Sequence, residues 1–221
     1  MRTNLRITYL TLIAAAMAPF ANAGTFTFSF NGGGITSSGA ITAVLAPSNI
    51  SGVTTTDTYE VTGITGTFSD TNVGISGNIT GLYMPVSFVT GVTETASDPV
   101  AFTSAGLSYD DLFFPLGNSP ADCPGYPFSG GAFDVYGVAF QVSGGYVGEL
   151  FSNGIIPGFS GPLYAAADAN ATQLLDNPNA GGHNGPVGVI GSFVLTPEPG
   201  TLLFLGCGLA SLAAIGRFAR R

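Results

Sequence analysis

The chain has 221 residues, a formal net charge of −8, 13 acidic residues against five basic ones, and no lysine. The five basic residues are Arg2, Arg6, Arg217, Arg220 and Arg221, so Gly24 to Thr196 holds twelve Asp or Glu and no cation at all. That stretch has nothing to neutralise phosphates, which excludes a nucleic-acid partner, and it disfavours anionic lipid headgroups for the same reason.

Met1 to Arg6 is a short basic segment, and Ile7 to Phe20 is largely apolar. Pro19 breaks a helix there, and Ala21-Asn22-Ala23 supplies the small-x-small pattern that a signal peptidase reads. These parts predict a secretory signal peptide over 1–23, cleaved after Ala23 to leave Gly24 as the first residue. The apolar run is short for a bilayer core of about 30 Å.

The exported part, 24–196, is long enough for one domain with a real core. Its dominant signal has period two. Thr25-Phe26-Thr27-Phe28-Ser29-Phe30 alternates polar and apolar residues as a half-buried strand does, and Asn31 to Gly34 ends it. Ala40 to Leu45 predicts a second strand. Thr58 to Phe68 and Val73 to Tyr83 predict a long hairpin about Ser69-Asp70-Thr71-Asn72, with Gly63, Gly66, Gly74 and Gly77 as twist or bulge points. Val86 to Val92, Phe133 to Val142, Tyr146 to Phe151 and Val187 to Leu195 complete the strands. Ala165 to Leu175 is the one helix candidate in the domain. Turn signals every eight to twelve residues suit a sandwich or a barrel. The expectation is an all-β, antiparallel β-sandwich of jelly-roll type, flanked by an N-terminal signal helix and a C-terminal transmembrane helix.

Catalytic signatures are weak. His183, the only histidine, stands in a glycine-rich loop, and no Gly-x-Ser-x-Gly is present. Cys123 is flanked by Asp122, which raises its pKa, and Cys207 lies in the apolar tail, so the domain closes no internal disulfide. Asp110 and Asp111 are adjacent and would point to opposite faces of a strand, so paired-carboxylate hydrolysis needs acids from elsewhere. The chain is therefore expected not to be an enzyme, with a carboxylate-based hydrolase as the third reading. Calcium is the better ligand candidate. Asp110, Asp111, Asp122 and Asp134 are loop carboxylates without a basic partner, although none fits the EF-hand spacing. No other cofactor is expected. Tyr83, Tyr109, Tyr126, Tyr136, Tyr146 and Tyr164 are read chiefly as core-covering residues, with a sugar-stacking platform as the alternative.

The last segment, from 197 to 221, carries three parts in order. Pro197-Glu198-Pro199 is rigid and extended, because each proline fixes its own φ and restrains the residue before it. Thr201 to Gly216 is apolar and uncharged, about 24 Å long as a helix. Arg217, Arg220 and Arg221 follow as a basic membrane stop.

This order resembles the PEP-CTERM sorting signal of Gram-negative bacteria. The resemblance implies recognition by an exosortase in the inner membrane, cleavage near Pro197-Glu198-Pro199, and delivery to the cell surface or the extracellular space. It also implies an association with exopolysaccharide and biofilm. The reading of the whole chain is a non-catalytic exported surface or matrix protein. Its partners would be signal peptidase and exosortase during export, and then polysaccharide or other surface proteins. The alternative is a calcium-dependent carbohydrate-binding module.

Overall fold

The computed structural model describes residues 23–46, 50–51, 58–86, 94–95, 101–121, 127–175 and 188–198. Among them there are thirteen strands and no helix. Eight strands close a barrel: β1 (Ala23–Gly32), β2 (Ile35–Leu45), β4 (Tyr59–Asp70), β5 (Ile75–Leu82), β10 (Val138–Val142), β11 (Tyr146–Ser152), β12 (Tyr164–Ala169) and β13 (Val189–Pro197). Each is antiparallel to the next in that order, and β13 pairs with β1 to complete the ring. The remaining pieces are short: β3 (Ile50–Ser51) beside β6 (Glu94–Thr95), β7 (Ala101–Phe102) beside β8 (Ser108–Tyr109), and β9 (Leu112–Phe113) on the start of β4.

The expected sandwich is therefore corrected to a closed barrel. The decisive pairing is β2 with β4, which runs from Ile35↔Asp70 to Leu45↔Tyr59 and leaves no gap between two sheets. Two glycines make it possible. Gly39 faces Gly66 across this pair, and a Cβ on Gly39 would collide with the Thr65 carbonyl oxygen. A bulge at Thr62 adds the bend that closure needs, since Thr42 pairs with Gly63 but Ala43 with Val61. The helix expected over Ala165 to Leu175 is also corrected: Tyr164–Ala169 is strand β12, and the residues after it bend back on its end. The two flanking helices fall outside the described residues.

Alternation sets the two faces of the wall. Phe28, Phe30, Ile41, Phe68 and Phe140 fill the interior, while Thr27, Ser29, Thr36, Thr42, Thr65 and Asn78 stand outside. Apolar-in and polar-out is the inverse of a membrane-spanning barrel, whose lipid-facing band is apolar. Phe113 and Phe133, from the long connection 83–137, plug one end of the core, with Phe113 edge-on to Phe26 at 5.0 Å and Phe133 edge-on to Phe193 at 5.3 Å. The interior is a packed core rather than a ligand-holding lumen.

The same long connection covers the outside of β10, β11 and β12. Val86, Leu107 and Tyr109 pack there on Ala139, Val147, Phe151, Ala165 and Ala167. That cover is why β11 and β12 are buried on both faces. Small residues suit the layer between core and cover.

The barrel has two unlike rims. One carries the tight turns 33–34, 71–74 and 143–145 and the connection 170–188. The other carries the connections 46–58, 83–137 and 153–163. Because eight is an even number of alternating strands, the chain also enters and leaves at this second rim.

Candidate functional site

The start of β1 and the end of β13 lie side by side. Phe26 pairs with Pro197, and the Glu198 N–H donates to the Thr25 carbonyl at 3.1 Å. The first two residues of the Pro-Glu-Pro motif are thus held by the barrel wall, with no spacer between domain and motif. Pro197 sits at the strand's end, where its missing N–H does least harm to the ladder. Ala23 pairs with Val44 and Gly24 with Ala43, so the expected signal-peptidase site is the first rung of β1. Ala21, Pro199, Arg217, Arg220 and Arg221 lie outside the described residues.

The acids tell a second story. Asp70, Asp110, Asp111, Asp134, Glu149 and Asp168 are all buried, each at most 4% exposed. Glu60 and Glu198 are half-buried. Among residues whose side chains are described, Glu60 and Glu198 are therefore the only acids that reach the surface to any extent.

Three of the four candidate calcium ligands meet around Gly137. Its carbonyl accepts the N–H groups of Asp110 at 3.3 Å and Asp111 at 3.0 Å. Its own N–H donates to Asp134 Oδ1 at 2.9 Å, as does that of Tyr136 at 3.0 Å. Asp110 Oδ1 accepts the Leu112 N–H at 2.9 Å, and Asp111 Oδ2 accepts the Val86 N–H at 3.1 Å. One oxygen of each carboxylate thus accepts backbone N–H groups, within a turn for Asp110 and Asp134 and across 25 residues for Asp111, while Asp111 Oδ1 and Asp134 Oδ2 have no hydrogen-bond partner. Among the described residues no three Asp, Glu, His or Cys side chains converge on a point that could hold a metal. Asp122, the fourth candidate, lies outside the described residues, as do Cys123 and His183.

Asp111 is the most constrained of these groups. It is the only non-glycine among the described residues with a positive φ, at 59°. Its carbonyl accepts the Val61 N–H at 2.8 Å, so it ties β4, the start of β10 and residue 86 together. Its Oδ1 is buried without a hydrogen-bond partner. Burial pushes the carboxyl up to about 7, with a smaller push from Glu60, against the pull of the Val86 and Ala139 amides. The neighbouring Tyr109 hydroxyl is raised to about 12 by burial and then by Asp111.

Glu149 escaped the sequence reading. It faces outward on β11, opposite Ala139 and Ala167, where alternation alone would leave it in water. The long connection seals it in. Burial, and then the charge of Asp134, holds its carboxyl well above the usual range. Its one legible mark is that it is the only acid within an otherwise apolar strand.

The six buried acids are each at most 4% exposed. A groove of about 440 Å³ does exist on the outer wall, lined by Thr25, Thr42, Thr62, Thr65, Thr80 and Pro85, and it holds no carboxylate. The described tyrosines form no platform either. Tyr109 and Tyr136 are buried, Tyr83 is half-buried and edge-on to Tyr109 at 6.0 Å, and Tyr146 and Tyr164 pack against the main core; Tyr126 lies outside the described residues. Comparison with family models, curated proteins and solved structures finds no match for this chain.

Proposed function

We propose that this chain is a non-catalytic exported protein, sorted by an exosortase through its Pro-Glu-Pro tail and placed at the cell surface or in an exopolysaccharide matrix. The supporting observation is the shared rim. A signal peptide anchored with its basic end in the cytoplasm and a tail helix stopped by arginines both meet the exported domain on the far side of one membrane. A barrel that begins and ends on adjacent strands, with Pro197 opposite Phe26, fits that double attachment without a linker. The described outer wall, rich in hydroxyls, suits a protein that lives among polysaccharide.

Intact mass of the protein from membrane and medium fractions of a native host tests this. The expected mass runs from Gly24 to the Pro197-Glu198-Pro199 region. A mass from Gly24 to Arg221, found only in the membrane, would reject sorting.

A second reading is a binding module for neutral glycans. The threonine-lined groove favours it, because hydroxyls and glycine backbone can hydrogen-bond sugars without a charge. Titration calorimetry with neutral polysaccharide fragments, with Thr62→Val as control, decides it; equal heats for both proteins would reject the groove.

A further inference from the structure

The large apolar side chains exposed on this protein are unevenly placed. Leu116 is 72% exposed, Met84 63%, Phe159 54%, Ile155 52% and Leu45 43%. All five stand in the connections at the rim where the chain enters and leaves. Leu45 ends β2, Met84 follows β5, Leu116 lies in the turn after β9, and Ile155 and Phe159 lie in the loop from β11 to β12. The loops are knitted together: the Ile155 N–H donates to the Ser129 carbonyl at 2.8 Å, and the Gly131 N–H to the Gly117 carbonyl at 3.0 Å. At the tight-turn rim, among the described residues, Val73 is 41% exposed and Ile190, the second residue of β13, 38%. The other exposed ones are Phe102 in β7, within the covering connection, and Val194 along β13.

We infer that this rim rests on the lipid surface while the protein is still anchored, so that the barrel stands on the bilayer rather than swinging from it. The inference depends on the proposed anchoring by the tail. Two features outside the side chains point to lipid as the occupant. First, the chain continues from this rim, at both ends, into apolar runs, Ile7 to Phe20 and Thr201 to Gly216. Second, the electrostatic objection to a bilayer weakens here. Six of the eight acids whose side chains are described are at most 4% exposed, and the charge this rim offers is confined, among the described residues, to the half-buried Glu60 and Glu198. Apolar side chains on loops held at the headgroup boundary gain by burial there, and tethering makes that contact intramolecular.

The test uses the full chain with Cys123 and Cys207 changed to serine, reconstituted into vesicles of zwitterionic lipid brominated on the acyl chains. Single cysteines replace Leu116, Phe159 or Val73 and carry an environment-sensitive fluorophore. All three sites are exposed, so the substitutions leave the core intact, and Ile155→Cys serves if one rim variant fails to fold. The expected result is quenching several-fold stronger at 116 and 159 than at 73. If the protein floats with the vesicles but quenching is equally weak at all three, the rim contact is refuted and the anchoring stands. If the rim labels report contact only as protein concentration rises, a second copy covers this face and the lipid assignment is refuted. If the protein does not float with vesicles at all, the anchoring reading falls, and this inference with it.

Discussion

Replacing Asp111 with asparagine should flatten the dependence of stability on pH. The folded carboxyl sits at about 7 against an ordinary 3.8. At about 1.36 kcal/mol per unit, those three units correspond to about 4 kcal/mol at most. The sign follows from linkage. The folded value lies above the unfolded one, so the folded protein holds a proton that the unfolded chain releases first. The stabilising term is fully present below the unfolded value near 4. It declines as pH rises and is gone above the folded value near 7. Glu60, Tyr109 and Tyr83 are the titratable neighbours, and no cation offsets them.

The amide introduced by Asp111→Asn keeps an acceptor for the Val86 N–H, and asparagine tolerates a φ of 59° better than most residues. It carries no charge at any pH. Urea denaturation of wild type and Asp111→Asn at pH 4, 6 and 8 measures the difference directly. The two should be of similar stability at pH 4, and the variant should gain steadily on wild type up to pH 8. A stability difference that does not change with pH would show that the carboxyl is not buried as a proton-holding group, and would refute the reasoning.

Three further outcomes follow from the barrel. Gly39→Ala forces a Cβ against the Thr65 carbonyl, where both partners are backbone, so it should destabilise by roughly 1–3 kcal/mol and lower the melting temperature. Phe113→Ala opens the plugged end of the core and should destabilise by about 3–5 kcal/mol in urea denaturation, since this ring is fully buried against Phe26 and Phe133. Gly74→Ala meets no atom within 4 Å, but its φ of 75° is left-handed, so thermal melting should show a milder loss of about 1 kcal/mol.

Much of the wall was legible because it is half-exposed. Where one face meets water, alternation appears, as in Phe26, Phe28 and Phe30 or in the hairpin from Tyr59 to Leu82. The pattern failed where both faces are covered. The run Tyr164 to Ala169 is rich in alanine, a strong helix former, and shows no alternation. It is a strand because its alanines fit between the core and the covering connection. Closure was not legible either. Sandwiches and barrels share turn spacing, and the choice rests on Gly39 meeting Gly66 across strands that local pattern does not pair. At the site, the two proposed sorting elements are legible locally because such signals are linear segments. Their adjacency is not, because it follows from an even strand count. The acids misled in the opposite way: Asp134 and Glu149 look solvated in sequence, and only the 83–137 connection hides them.

Burying acids in a domain without lysine or arginine has a consequence for the whole molecule. Elsewhere such groups would be paired with cations. Here the carboxylates take N–H groups, and Asp111 and Glu149 favour the protonated form. Among the described residues the barrel wall therefore presents chiefly hydroxyls, amides and glycine backbone, with Glu60 and Glu198 half-buried at one rim. The rim that bears both chain ends carries, among the described residues, the most exposed apolar side chains, Leu116 and Met84.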